Sequence, residues 1–143
     1  MELPRPLLRH YHFNVLSLRV CEHFDPSSFQ QNETLYPPLS NDALATDVQS
    51  ALLEGDDESL VVVILSVQKA STEEKPFPYV FEAEVEGLFA MEDLTAELSE
   101  AREQKVALQG ANHLYAAIRE QILTLSSRHK YGPVMLPDLR FGD

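Results

Sequence analysis

The stretch Tyr79-Val80-Phe81-Glu82-Ala83-Glu84-Val85-Glu86-Gly87-Leu88-Phe89-Ala90 decides the fold. Tyr79, Phe81, Ala83 and Val85 alternate with Val80, Glu82, Glu84 and Glu86. Side chains along a strand point to opposite faces in turn, so this segment has one apolar and one acidic face. Such a strand, read over Phe77–Ala90, fits an antiparallel sheet that is covered on one side and wet on the other.

Working outward, Leu60–Ser71 carries Val61, Val62, Val63, Ile64, Leu65 and Val67, a β-branched run that reads as a central strand. The polar segment Lys69–Pro78, with Pro76 and Pro78, joins these two strands as a hairpin connection. A further strand is expected over Leu8–His23. Tyr11, Phe13 and Val15 set one phase there, and Leu16, Leu18 and Val20 set the other. A slip of one residue exchanges the faces, so a bulge near Val15–Leu16, or burial of both faces, is implied. Asp42–Glu54 fits both periods: Leu44, Val48, Ala51 and Leu52 make a helical face, while Leu44, Thr46, Val48, Ser50 and Leu52 make a strand. Between them, residues 24–42 form a long crossover loop with Pro26, Pro37 and Pro38, and with Phe29, Leu35 and Tyr36 as its apolar points.

The last third reads as a helical pair over 93–129. Asp93–Gln109 places Leu94, Leu98, Ala101 and Leu108 on one side, and Gly110 reads as its terminator. Asn112 then caps a second helix, His113–His129. At 100° per residue, Leu114, Tyr115, Ala117, Ile118, Ile122 and Leu125 fall within about 160°, and Leu123 and Ala116 lie nearly opposite. A helix with a second apolar stripe needs a second partner, which suggests another subunit. Residues 130–143 follow as an extended tail. The expected fold is α+β: one domain over 1–143, an antiparallel sheet followed by a helical pair.

The chain has 143 residues and a formal net charge of −12. Acids dominate residues 1–100, with 19 Asp and Glu against 5 Lys and Arg, and the remainder is mildly basic. That balance excludes the counterion-replacing chemistry of nucleic-acid binding. No apolar run approaches the roughly 20 residues of a membrane-spanning helix. The start, Met1-Glu2-Leu3-Pro4-Arg5-Pro6, lacks a secretory pattern, so a cytoplasmic location is expected.

Catalytic signatures are sparse. There is no phosphate-binding glycine loop and no G-x-S-x-G elbow. His10 and His12 share a strand face and could chelate a metal with His23 or Glu22; the plain alternative is an exposed polar pair. Cys21 reads as a small half-buried hydrophobe. The expectation is a non-enzyme without cofactor or metal. Two features stand out instead. Glu82, Glu84 and Glu86 form an acidic row, either a solvated face or a dock for a basic partner. Apolar surface also exceeds what so small a chain can bury, which suggests an oligomer with a peptide groove beside the interface.

The stretch Asn112-His113-Leu114-Tyr115-Ala116-Ala117-Ile118-Arg119-Glu120-Gln121-Ile122 resembles the long helix of the SecB export-chaperone family, N-x-L-[YF]-P-x-x-R-E-x-I. Leu136-Pro137-Asp138-Leu139-Arg140-Phe141 resembles the Leu- and Pro-containing segment that follows it, and Val85-Glu86-Gly87-Leu88-Phe89 the V-x-G-x-F exit from the fourth strand. With the order of elements, the resemblance covers Tyr11–Phe141. It implies that Asp42–Glu54 is the second strand of a four-stranded antiparallel sheet, with a short and a long helix packed on one face. It implies an ATP-independent cytoplasmic holdase for unfolded or preprotein clients, assembled as a tetramer, a dimer of dimers. Phe29, Leu35, Tyr36, Phe13, Val15, Leu88 and Phe89 become candidate client-binding residues. Phe81, Ala83, Val85, Leu114, Ile118 and Leu123 become candidate interface residues, and Glu82, Glu84 and Glu86 a face for the SecA motor. Ala116 stands where the motif has proline, and the sequence to Asp143 holds no counterpart of the family's extra helix and motor-docking tail. Two alternatives follow: a chaperone dedicated to one client, such as an antitoxin, and a non-chaperone scaffold module of the same fold.

Overall fold

In a computed structural model, the structure describes residues 6–22, 24, 39, 43–54, 59–70, 77–90 and 100–142. Phe29, Leu35, Tyr36 and His23 lie outside these residues, as does most of the 24–42 loop. Four strands and one helix follow in order: β1 (Leu7–Val20), β2 (Ala45–Glu54), β3 (Ser59–Lys69), β4 (Tyr79–Ala90) and α1 (Glu100–Ser126). The strands form one sheet in the order β1-β4-β3-β2, with every neighbouring pair antiparallel. The ambiguous segment is therefore a strand. Val48 and Leu52 face the core opposite Leu65 and Val61, which a helix at the same place could not arrange.

The valine run lies inside the sheet, as its composition requires. Val61, Val63, Leu65 and Val67 are fully buried under α1, while Val62 and Ile64 are half-buried on the other face. On β4 the expected alternation holds: Phe81, Ala83, Val85 and Phe89 join the core and Glu82 is exposed. The phase slip in β1 is a bulge between Phe13 and Val15, one to two residues before the expected place, with a second irregularity between Leu8 and His10. The extra residue Asn14 lets Phe13 and Leu16 both face inward, opposite Val85 and Ala83.

The helical pair needs correction. Residues 93–99 lie outside the described part, and from Glu100 a single helix runs unbroken through Gly110 and Asn112 to Ser126. Gly110 does not end a helix; it lets one approach the sheet. A Cβ there would stand 2.9 Å from Phe89 Cε2 and 3.2 Å from Val63 Cγ2. Glycine's tolerance of left-handed turns suggested a terminator, but its lack of bulk is the property used here. Asn112 is not a cap either. Its side chain holds the tail: Nδ2 donates to the Phe141 carbonyl at 3.1 Å, and the Phe141 N–H donates to Oδ1 at 2.8 Å.

The tail runs back along α1 with Val134 and Leu136 fully buried. Gly132, at φ 80°, turns the chain into it. Tyr79 fastens this corner. Its hydroxyl donates to the Gly132 carbonyl at 2.7 Å and accepts the Tyr131 N–H at 2.9 Å.

Candidate functional site

The register lays out the sheet face that α1 leaves uncovered. Paired residues share a face, so rows can be read straight across the four strands. The first row is Leu7, Ala90, Leu60 and Leu53. Next come His10, Leu88, Val62 and Ala51, then His12, Glu86, Ile64 and Gln49. The last two are Val15, Glu84, Ser66 and Asp47, then Ser17, Glu82, Gln68 and Ala45. The face thus grades from apolar at one end to acidic and polar at the other.

The apolar end is wet at its margins, while at its centre Ala90 is buried and Leu60, Val62 and Leu88 are half-buried. Leu7 is 48% exposed and Leu53 is 46% exposed. Tyr11 belongs to the inner face, opposite Gly87, yet it is 47% exposed because α1 does not reach this end of β1. From Leu7 to His12 every residue of β1 is exposed, whichever way it points. Among the described residues β1 is also an edge strand, paired only to β4.

The glutamates of the acidic end accept hydrogen bonds from both neighbouring strands. Asn14 Nδ2 donates to Glu84 at 3.1 Å and to Glu86 at 3.4 Å, and Ser66 Oγ donates to Glu84 at 3.3 Å. His12 Nε2 stands 3.7 Å from Glu86. Glu84 and Glu86 are half-buried, and Glu82 is exposed. The His10 and His12 rings stack with centroids 6.1 Å apart. Among the described residues no group of three His, Cys, Asp or Glu stands close enough to hold a metal ion. Cys21 is buried where β1 ends, its N–H donating to the Pro78 carbonyl at 2.8 Å.

A second concavity of about 500 Å³ lies between α1 and the tail. Ala116, Leu123, Met135 and Leu139 give it an apolar wall, and Arg119, Glu120 and Asp138 a charged one. Leu123 and Ala116, the second stripe of the helix, therefore face a groove whose other bank is the chain's own tail. Tyr115, beside it, is buried and donates to the Pro137 carbonyl at 2.6 Å. Burial pushes its phenol up to about 12. Burial likewise raises Tyr79 above the ordinary value.

The candidate residues separate by face. Leu88 and Val15 are half-buried on the graded outer face, whereas Phe13 is half-buried beneath the sheet and Phe89 lies in the core. Phe81, Ala83, Val85, Leu114 and Ile118 are all enclosed in the chain's own core; of the six residues considered for an interface, Leu123 alone is part-exposed. Sequence reading missed Leu7 and Leu53, which become visible only when strand register is known. It took Asn112 for a cap and gave Arg119 and Ser126 no structural role, although the three are spaced seven apart along one line of the helix. That polar stripe within a buried helix was the available signal.

No family model matches the chain, and no curated protein matches it in sequence. Solved structures do share its fold. One is the Mycobacterium tuberculosis Rv1957 SecB-like chaperone in complex with a ChAD peptide from the Rv1956 HigA1 antitoxin, with a TM-score of 0.55 and 19% identity over 94% of this chain and 91% of that one. Another is a Streptococcus agalactiae protein of unknown function, with a TM-score of 0.60 and 12% identity over 96% of this chain and 100% of that one. Identities this low speak for architecture alone. The chain has a SecB-like fold: an open four-stranded antiparallel sheet with a long helix on one face.

Proposed function

We propose that this chain is a chaperone-like binder of extended, apolar polypeptide segments, acting without nucleotide as a holdase. The observation that carries the reading is the uncovered apolar end of the sheet, continuous with an acidic end on the same face. Apolar burial is worth about 25 cal/mol per Å². A few exposed leucines can therefore hold many different sequences weakly, which suits a client that is not folded. The glutamates at the other end attract basic flanking residues at longer range. An unfolded chain with an apolar stretch beside a basic one matches that gradient.

The deciding measurement is light scattering from a chemically denatured substrate protein diluted out of denaturant. We expect aggregation to be suppressed at a few-fold molar excess of this chain with no nucleotide added. Unchanged scattering at tenfold excess would sink the reading.

The M. tuberculosis neighbour supports a narrower version, since that SecB-like chaperone is bound to an antitoxin peptide. In this version the client is one dedicated partner. Crosslinking in lysate separates the two: many client bands favour the general holdase, and one band the dedicated chaperone. A basic partner such as the SecA motor would dock on Glu82, Glu84 and Glu86. Assembly would use the open β1 edge for a dimer and the Leu123 side of α1 for a dimer of dimers.

A further inference from the structure

The contacts between α1 and the tail have an unusual composition. Asn112 bonds both the N–H and the carbonyl of Phe141. Tyr115 donates to the Pro137 carbonyl, and Arg119 Nε donates to the Leu136 carbonyl at 2.9 Å. The Val134 N–H donates to Ser126 Oγ at 2.7 Å. Every one of these bonds runs from a helix side chain to the tail's main chain. Arg119 to Asp138, at 3.3 Å with Asp138 fully exposed, reads a tail side chain, and an exposed pair of this kind contributes little. A grip on main-chain atoms does not depend on sequence, because every residue offers the same carbonyl.

The side chains of the tail supply spacing. Val134 and Leu136 are fully buried, Leu139 and Phe141 half-buried, and Met135, Asp138 and Arg140 point outward. Apolar anchors thus fall at relative positions 0, 2, 5 and 7. The segment is extended, belongs to no sheet, and enters through Gly132, where a Cβ would meet nothing within 4 Å. Beside it the apolar groove stays open.

From these contacts we infer that the Asn112–Tyr115–Arg119–Ser126 line is a second polypeptide site, and that the tail Val134–Phe141 is its resident ligand. A client segment with the same apolar spacing displaces the tail by swinging it about Gly132. The tail thereby sets a threshold: weakly apolar segments do not enter. This rests on the proposed function for its ligand, an extended apolar peptide, but not for its geometry.

The test uses the full chain and a fluorescent peptide with the sequence of Pro133–Phe141. A tethered tail acts at an effective concentration of about millimolar, so the unmodified protein should bind the free peptide poorly. Leu136→Ser loosens the tail without touching the helix side chains. It should bind the peptide at least tenfold more tightly, and adding Asn112→Ala should reverse that gain. Equal binding by the unmodified and Leu136→Ser proteins overturns the inference, as does a gain that survives Asn112→Ala. If Leu136→Ser does not fold, amide exchange in the unmodified protein decides. The Val134 and Phe141 amides should exchange at least tenfold faster when an unfolded client is bound, and unchanged protection overturns the inference. Client binding with a protected tail removes this inference and leaves the proposed function standing; absence of client binding removes the function, and the peptide arm still decides the clamp. Tail exchange between two copies, seen as a dimer that dissociates when peptide is added, also overturns it.

Discussion

Gly110 shows how one missing carbon sets the distance between helix and sheet. Alanine is the better helix former by about 1 kcal/mol. Its Cβ would nevertheless press on the Phe89 ring, which is fully buried and has nowhere to go. We expect Gly110→Ala to destabilise by about 1–3 kcal/mol in spite of propensity, measured as a lower midpoint in urea unfolding. A rise in stability would mean that Phe89 can repack. Asn112 was legible as a polar residue on an otherwise apolar helix and read as a cap. Its true partner is 29 residues away, and no local rule of capping reaches that far.

At the scale of elements, strands were more legible than helices. The period-two alternation in β4 and the valine run in β3 are local signals, and both lie within a residue or two of where composition puts them. The bulge in β1 was legible for the same reason, as a break in period. By contrast, the extent of α1 was not. Gly110 and Asn112 carry strong local preferences for helix ends, and packing against β3 and β4 overrides them. The exposed half of β1 was hidden as well, because exposure depends on where α1 stops.

The helix–tail contact has a pH signature. The raised Tyr115 pKa means that the fold favours the neutral phenol, which donates to Pro137. Stability from this group is complete below the unfolded value near 10 and is lost as pH rises from there to about 12. Thermal melts across that window should fall with pH, and Tyr115→Phe should flatten the part due to this group. A slope unchanged in the variant would assign the effect elsewhere, Tyr79 being the next group to test.

For the whole molecule, the −12 charge argues against a nucleic-acid partner but says nothing of which partner there is. Register places some of that charge on one sheet face, beyond an apolar end. Charge reversal at the exposed Glu82, as Glu82→Lys, should weaken binding of a peptide with basic flanks about two- to fivefold at low salt, and by less at high salt. Titration by fluorescence anisotropy at two ionic strengths checks this. Placing Leu53→Glu in the apolar row should instead weaken binding of an uncharged apolar peptide, with little salt dependence. If both variants fall equally with both peptides, the face does not act as a graded surface. The candidate site was thus half legible: its acids were visible as a row, whereas its leucines come from four different strands and meet only after folding.

A long apolar strand at a sheet edge can recruit copies without limit, each adding its own edge to the last. Here the two irregularities, at Leu8–His10 and Phe13–Val15, interrupt β1 before a flat partner can pair along its full length. The kinks ration the edge, permitting a short contact and discouraging a growing ribbon. Removing Asn14 would restore unbroken alternation from His10 to Val20 without exchanging the faces. Such a deletion should drive the chain toward fibres, visible as thioflavin-positive material at concentrations where the unmodified chain stays clear. What looks like an imperfection of one strand is protection against a chain adding to its own copies.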